Sequence, residues 1–161
     1  MRSLERGLSL TSLSDLPILA GITARNLPRH ALWSSLMSAQ NKATVEKVNA
    51  AFAANDTEGF LSHCARDVVW TMVGDRTVKG VHAIRSWMAS MGGGEAPKFS
   101  VDHIAAEGDY VTCFGDMTMK DKVGSTSPYA YCDVYRFRDG KIAELRSYVI
   151  NTKPKPEVAS L

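Results

Sequence analysis

The sequence predicts one α+β domain in which helices gather on one face of an antiparallel sheet. Apolar residues recur at helical spacing in the first half of this domain and at alternate positions in its last third. The predicted order is helix, helix, strand, helix and then four strands joined by short turns, which is typical of α+β folds. With 161 residues, the chain is long enough for one domain with its own core.

Three helices are predicted. The first spans residues 41–54, where apolar side chains recur opposite charged ones. A shorter helix follows Asp56, a suitable N-cap, and reaches Cys64. The third spans residues 81–91, and the triple glycine 92–94 ends it. Its apolar stripe consists of Ile84, Trp87, Met88 and Met91.

The first predicted strand covers residues 67–73, where β-branched and aromatic residues predominate. The polar segment 74–80 that follows is predicted to be a loop. Two further strands are predicted over residues 98–107 and 110–120, with a turn at Gly108-Asp109 between them.

The last two strands are predicted to form a long hairpin over residues 127–150, because Asp139-Gly140 supplies the positive φ angles of a two-residue turn. Period two places Tyr129, Tyr131, Asp133, Tyr135 and Phe137 on one face. A buried Asp is rare unless it is hydrogen-bonded or paired. Three interpretations of Asp133 therefore stay open. It is hydrogen-bonded for a structural reason, it is solvent-exposed near a strand end, or it lines a ligand cavity.

Composition and charge exclude several classes of protein. Hydrophobic content of 45% and charged content of 22% fit a globular chain, and no apolar run approaches the ~20 residues of a membrane span. The net charge of +2 resides in residues 1–36, while acids and bases balance in the remainder. We therefore expect neither nucleic-acid binding nor membrane insertion.

Residues 1–36 contain two prolines and are predicted to be a flexible N-terminal extension, followed by the domain at 37–152 and a C-terminal tail at 153–161. A targeting peptide is the alternative for this Ser- and Arg-rich leader, although Glu5 and Asp15 weaken it. Met37 offers a simpler account, because the sequence from there looks like a natural protein start.

The three cysteines show no metal-ligand spacing, so no metal site is expected. They are Cys64, Cys113 and Cys132. An odd number of cysteines without a secretory signal favours a reducing compartment, and we expect a cytoplasmic protein.

Residues 40–150 resemble the nuclear transport factor 2-like superfamily, and within it the SnoaL-like polyketide cyclases and the ketosteroid isomerases. Three segments carry the resemblance: residues 45–70, residues 78–88 and the hairpin CDVYRFRDGKIAELRSY at 132–148. The resemblance implies a cone, made of a curled sheet wrapped on three helices around a deep apolar pocket. It also implies a homodimer through the outer face of the sheet, and no metal or organic cofactor.

The ketosteroid isomerase pattern is only partly present. That enzyme uses an Asp base with a Tyr and a protonated Asp. By resemblance, the protonated Asp falls on Asp133, the base on Thr71 and the Tyr on Val48. Because Thr and Val cannot take these roles, steroid isomerisation by that set of residues is not expected.

Limonene epoxide hydrolase, a relative in fold, needs two carboxylates, and Asp116 is the candidate partner for Asp133. Period two places Asp116 with Thr112, Phe114 and Thr118 on one face of its strand. The opposite face, which includes Val111 and Cys113, is more apolar and is either the core or the dimer surface. If it is the core, Asp116 is merely solvated.

We therefore expect a pocket for a small apolar organic molecule, with acid–base chemistry of the isomerase, cyclase, hydratase or hydrolase type. Asp133 and Asp116 are the predicted catalytic pair. The predicted ligand-binding residues are Thr71, Tyr131, Phe114, Trp87, Val48, Phe52 and Met88. A non-catalytic ligand carrier or dimeric interaction module of the same fold is the alternative.

Overall fold

The computed structural model describes residues 29–91, 97–120 and 124–154. The helices in these ranges are α1 (Arg29–Ala53), α2 (Thr57–Ser62) and α3 (Val81–Met91). The strands are β1 (Cys64–Met72), β2 (Arg76–Lys79), β3 (Lys98–Phe99), β4 (His103–Glu107), β5 (Tyr110–Lys120), β6 (Thr126–Arg138) and β7 (Lys141–Asn151). The predicted α+β class is confirmed.

The strands form one curled sheet in the order β2-β1-β7-β6-β5-β3, with β4 also paired to β5. One pair differs from the antiparallel sheet that the sequence predicts, because β1 runs parallel to β7. These two strands are far apart in sequence, and the long connection between them allows a parallel pairing that a short hairpin forbids. The sheet is therefore mixed.

The β6–β7 hairpin turns at Asp139 and Gly140, as predicted. Their φ angles are 52° and 70°, which is the pair of positive values that a two-residue hairpin turn requires. The hairpin is not regular throughout. Its register shifts beyond Arg136, so that Arg136 lies opposite Glu144 although Phe137 lies opposite Ile142, and Ala143 is the extra residue.

The first helix begins at Arg29, about twelve residues before its predicted start, so residues 29–36 of the predicted flexible extension are helical. Trp33, Leu36 and Met37 recur at helical spacing in this segment, although all three side chains are exposed, Trp33 by 65%. The rest of the predicted extension, residues 1–28, lies outside the described residues.

The remaining helices agree better, since α3 has its predicted bounds and α2 begins directly after the Asp56 cap. However, α2 ends at Ser62, and Cys64, the predicted end of this helix, begins β1 instead.

Two strand assignments need correction. The predicted loop 74–80 contains β2, which pairs with the end of β1. The predicted strand 98–107 is divided into β3 and β4 by a bend at residues 100–102, although both parts pair with β5. At this bend, a Cβ added to Gly115 of β5 would lie 2.2 Å from the Ser100 carbonyl oxygen, so the close approach requires glycine.

The core lies between the helices and one face of the sheet, which we call the inner face. From β5, β6 and β7, its buried side chains include Val111, Cys113, Tyr131, Tyr135, Leu145 and Ser147. Val45 and Val48 of α1 and Ile84 of α3 are buried against it. The opposite, outer face of the sheet contains Thr71, Phe114, Asp116, Tyr148 and Ile150.

Candidate functional site

Asp133 lies on the inner face, in the middle of β6. Its neighbours at two residues' spacing, Tyr131 and Tyr135, are buried, while Asp133 itself remains partly accessible. Its cross-strand neighbours on the same face are Cys113 of β5 and Ser147 of β7, and both are buried. A carboxyl group is thus held among buried side chains yet is not sealed from solvent.

Two hydroxyl groups lie beside the Asp133 carboxyl. The Tyr135 hydroxyl donates to Oδ2 across 3.4 Å, and Ser147 lies directly opposite Asp133 on β7, where its side chain helps to lower the pKa of Asp133. Ser147 in turn accepts a hydrogen bond of 3.0 Å from Nε1 of Trp70. This cluster of Asp133, Tyr135, Ser147 and Trp70 is the polar centre of the inner face.

Burial raises the pKa of Asp133 from an ordinary 3.8 to about 6. The hydrogen bonds from Ser147 and Tyr135 oppose the shift, because they stabilise the ionised carboxylate, but desolvation is the larger effect. A carboxyl group with a pKa near 6 exists in both protonation states close to neutral pH. It can therefore give or take a proton, which a fully solvated Asp does poorly at that pH.

The remaining polar groups beside Asp133 are hydrogen-bonded and stay neutral. Asn49 Nδ2 donates to Cys113 Sγ across 3.4 Å, and the Tyr131 hydroxyl donates to the Ser100 carbonyl across 3.0 Å. Burial raises the pKa of the Cys113 thiol and of the Tyr131 phenol. These groups therefore add hydrogen bonds to the site without adding charge.

Apolar side chains from α1 and α3 pack on the same core. Val48 is fully buried, while Phe52, Trp87 and Met88 are partly exposed. The rings of Trp70 and Trp87 meet edge to face at 4.9 Å between centroids. The structure therefore places five of the predicted ligand-binding residues, Val48, Phe52, Trp87, Met88 and Tyr131, in the same cluster of packed residues around the inner face.

Asp116 and Phe114 lie on the outer face, contrary to the prediction that they join Asp133. Asp116 is exposed and lies opposite Ala130, and Phe114 is 44% exposed beside His103. The more apolar set on β5, which includes Val111 and Cys113, faces the core instead. Asp116 therefore cannot exchange a proton directly with Asp133.

Thr71 is also on the outer face. Its hydroxyl lies 3.1 Å from that of Thr77, and in the parallel β1–β7 pair it is level with Arg146. The inward positions of this part of β1 are Trp70 and Met72, which have the opposite parity. Thr71 therefore lies on the outer face, and not on the inner face with Asp133 as its predicted ligand-orienting role requires.

The sequence prediction missed Ser147, Trp70 and Asn49 as neighbours of the carboxyl. An ideal two-residue hairpin would place Arg146 opposite Asp133, and the extra residue Ala143 replaces it with Ser147. The sequence offered only one signal for Ser147, a polar residue within the last predicted strand. Without the shifted register, this signal did not show that Ser147 lies opposite Asp133.

Among the residues that the structure describes, Asp133 is the one acidic residue whose side chain faces the core. Apart from Glu144, every other acidic residue described is exposed, and Glu144 lies on the outer face in an ion pair with Arg136. Within those ranges no three His, Cys, Asp or Glu side chains come together as a metal site. Nor does any described helix combine the length and hydropathy needed to cross a membrane.

Known structures share this fold. An LEH-like epoxide hydrolase from M. tuberculosis is 20% identical, with a TM-score of 0.63 over 70% of this chain and 84% of that one. A candidate ketosteroid isomerase from Kribbella flavida is 15% identical, with a TM-score of 0.62 over 74% and 84% of the two chains. At these identities the likeness shows the fold alone.

A third structure, a candidate SnoaL-like polyketide cyclase from Jannaschia sp., is 15% identical with a TM-score of 0.64, over 73% of this chain and 96% of that chain. No curated protein matches the sequence. The SnoaL-like domain family matches residues 45–145, which include α2, α3, the whole of β1 to β6 and Asp133 but end before Ser147. Since the match covers more than half of the chain, this protein is a member of the SnoaL-like domain family.

Proposed function

We propose that the protein binds a small, mostly apolar organic molecule against the inner face and acts on it by acid–base chemistry at Asp133. The observation that carries this proposal is a single carboxyl group, with its pKa raised to about 6, among partly exposed apolar residues. Sites for small molecules commonly combine an apolar lining with a few polar groups of this kind. No cofactor is required by the chemistry proposed.

Isomerisation or cyclisation fits this geometry better than hydrolysis does. One carboxyl group can remove a proton from one atom of a ligand and return it to another, and such catalysis is worth about 10²–10⁴ in rate. Activation of a water by two carboxylates needs a second acid on the same face. Asp116 is on the other face, so among the described residues Asp133 has no such partner.

A non-catalytic ligand-binding protein is the second candidate. The separation of Asp116 from Asp133 on opposite faces of the sheet favours this candidate. Asp133 would then act as a hydrogen-bonding anchor for the ligand rather than as half of a catalytic pair. The two candidates share the binding site and differ in whether the bound molecule changes.

One experiment tests both candidates. The native protein is purified without organic solvent, and the small molecules released from it are identified by mass spectrometry. Each identified molecule is then added back to fresh protein to measure binding and conversion. We expect Asp133→Leu to weaken rebinding at least tenfold. Asp133→Asn keeps a polar amide and should retain binding, but it cannot transfer a proton. Conversion of the ligand by wild type and not by Asp133→Asn supports the enzyme, and binding without conversion supports the carrier.

Asp116→Asn is the matched control, since it makes the same chemical change on the outer face of the adjacent strand. It should bind and convert the ligand as the wild type does. Equal binding by wild type and Asp133→Leu, with folding verified by circular dichroism, would contradict the proposed site.

The protein is further proposed to form a homodimer through the outer face. Phe114, Tyr148 and Ile150 are exposed there by 44%, 37% and 66%, which supports an apolar contact. Sedimentation analysis should give twice the mass of the chain, and Ile150→Glu should give a monomer. A monomeric wild type at micromolar concentration would contradict this assembly.

A further inference from the structure

Asn49 of α1 brings a side-chain amide to the inner face of the sheet. It lies on the side of the helix that also presents Val45 and Phe52 to the core, and it is only 9% exposed. Its Nδ2 donates to Sγ of Cys113 across 3.4 Å, and Cys113 is the β5 residue opposite Asp133. A polar group that the proposed acid–base chemistry does not use is therefore held beside the site.

The hydrogen bonds beyond Cys113 determine which end of the Asn49 amide faces the sulfur. The Tyr131 hydroxyl donates its one hydrogen to the Ser100 carbonyl oxygen at 3.0 Å, and a carbonyl oxygen can only accept. In the 3.8 Å contact between Cys113 Sγ and the Tyr131 oxygen, the thiol is therefore the donor. Burial raises the pKa of this thiol, so it keeps its hydrogen near neutral pH. Because that hydrogen is already used, the sulfur can only accept from Asn49, and Nδ2 is the end that faces it.

This orientation leaves Oδ1 of Asn49 without a partner. No described residue donates to it, yet within the described ranges no fully buried polar side-chain atom lacks a partner. Oδ1 is therefore reachable from solvent, although the residue as a whole is nine-tenths buried. Buried amide oxygens are almost always hydrogen-bonded, because an unpaired one loses its hydration without compensation. A molecule that displaces water from this atom must supply a donor or lose affinity.

We propose that Asn49 is a specificity-determining residue of the inner-face site, and that its Oδ1 accepts a hydrogen bond from a hydroxyl group on the bound molecule. The ligand class is then an apolar molecule with one hydroxyl, such as a phenol, an enol or an alcohol. An analogue without the hydroxyl leaves Oδ1 unpaired, and sites with an unpaired polar group reject such analogues. The inference rests on the proposed apolar site. It holds for the enzyme and for the ligand carrier alike, because Asn49 transfers no proton.

Two probes of similar size test the preference for a hydroxyl. 2-Naphthol carries a hydroxyl group where 2-methylnaphthalene carries a methyl group. Because a hydroxyl is the better hydrated of the two in water, the informative quantity is the ratio of the two affinities, measured by titration calorimetry at pH 7. Asn49→Leu keeps a similar shape and removes the acceptor, and it should lower the ratio of 2-naphthol to 2-methylnaphthalene affinity by about fivefold or more. Asn49→Ala also lacks the acceptor and replaces Asn49→Leu if the longer side chain prevents folding.

Asn151→Leu is the matched control, because it removes the same amide from an exposed position at the end of β7. It should leave the affinity ratio unchanged. Asp133 is a rival acceptor for the hydroxyl, since it lies opposite Cys113 with about 5 Å between the Cα atoms. Asp133→Leu should weaken the binding of both probes and keep their ratio. A ratio that falls in Asp133→Leu and not in Asn49→Leu would assign the hydroxyl to Asp133 and overturn the inference.

Tyr131→Phe tests the orientation of the amide. It removes the oxygen that accepts from the Cys113 thiol, and the thiol hydrogen is then free to turn toward Asn49. The amide can then present Oδ1 to the sulfur and its N–H groups to the ligand, so the affinity ratio should fall although Asn49 is still present. An unchanged ratio would contradict the orientation inferred from the hydrogen bonds.

Urea denaturation without a ligand separates a binding role of Asn49 from a structural one. The bond to Cys113 is weak, because sulfur is a poor acceptor, and Leu fills a similar space among apolar neighbours. Asn49→Leu should therefore unfold at the same urea concentration as the wild type or at a higher one. A lower midpoint together with an unchanged affinity ratio would show that Asn49 is structural.

The two proposals fail in different ways. If both probes bind with the same affinity ratio to the wild type and to Asn49→Leu, the inference about Asn49 is overturned and the apolar site stands. If neither probe binds to the wild type, the proposed apolar site is contradicted, and the inference that rests on it falls too.

Discussion

Asp133 and Asp116 lie on neighbouring strands but on opposite faces of the sheet. Asp133 has hydroxyl donors, buried neighbours and a raised pKa, whereas Asp116 is exposed opposite Ala130. The two residues have the same chemistry, and only strand parity separates them. In this fold, the face that a carboxylate occupies determines its desolvation, and it is desolvation that makes Asp133 rather than Asp116 the candidate for function.

The largest contrast between the faces is expected from apolar truncations in β7. Leu145 is fully buried on the inner face, so Leu145→Ala should lower the free energy of unfolding by about 2–5 kcal/mol. Ile150, on the outer face of the same strand, is 66% exposed, and Ile150→Ala should change it by less than about 0.5 kcal/mol in the monomer. Urea denaturation at low protein concentration measures both, and equal losses would contradict the assignment of faces.

The pH dependence of stability should distinguish the two carboxylates. Because the folded state holds the Asp133 proton more tightly than the unfolded state, its contribution is greatest below pH 3.8 and is lost as the pH rises to about 6. The loss amounts to about 2–3 kcal/mol. Asp133→Asn should remove this fall from the stability profile between pH 4 and 6.5.

Asp116→Asn should retain the wild-type profile over the same range. Urea midpoints measured at half-unit pH intervals give the comparison. A wild-type profile that does not differ from that of Asp133→Asn would mean that Asp133 is solvated.

The close approach of β5 to the bend between β3 and β4 should be sensitive to one methyl group. A Cβ at position 115 would lie 2.2 Å from a backbone oxygen, so Gly115→Ala should cost about 2 kcal/mol of stability. Asp116→Ala changes the adjacent outer position and should cost much less. A fully stable Gly115→Ala variant would indicate that the bend at Ser100 lies farther from β5.

The smallest effect is expected at Thr71. Thr71→Val removes the hydroxyl contact with Thr77 on the outer face and should change the free energy of unfolding by less than about 0.5 kcal/mol. The affinity for a small molecule that co-purifies with the native protein should also be unchanged, as measured by titration calorimetry. A tenfold loss of affinity would restore Thr71 to the ligand-binding set.

The sequence was most informative where one periodicity had no rival. The aromatic row around Asp133, the stripe of Ile84, Trp87 and Met88 on α3 and the Asp139-Gly140 turn were predicted correctly, because each matches one local rule of side-chain spacing or backbone geometry. The parity of β5 could not be decided in this way, since both of its faces contain apolar residues. Only packing against the helices distinguishes them.

The positions of Ser147 and Trp70 near Asp133 depend on non-local geometry. Ala143 shifts the hairpin register by one residue and brings Ser147, rather than Arg146, opposite Asp133. Trp70 reaches Ser147 because β1 lies beside β7 in parallel, a pairing between segments almost eighty residues apart. Neither contact follows from a local pattern, which explains why Asp133 and Tyr135 were placed together and Ser147 and Trp70 were missed.

A crystal structure of the protein with a small molecule that co-purifies with it would show directly whether Asp133 lies at the binding site. We expect the ligand against the inner face, with a polar atom within hydrogen-bond distance of the Asp133 carboxyl and its apolar body against Phe52, Trp87 and Met88. A ligand bound instead on the outer face beside Phe114 and Asp116, or held without contact to Asp133, would contradict it.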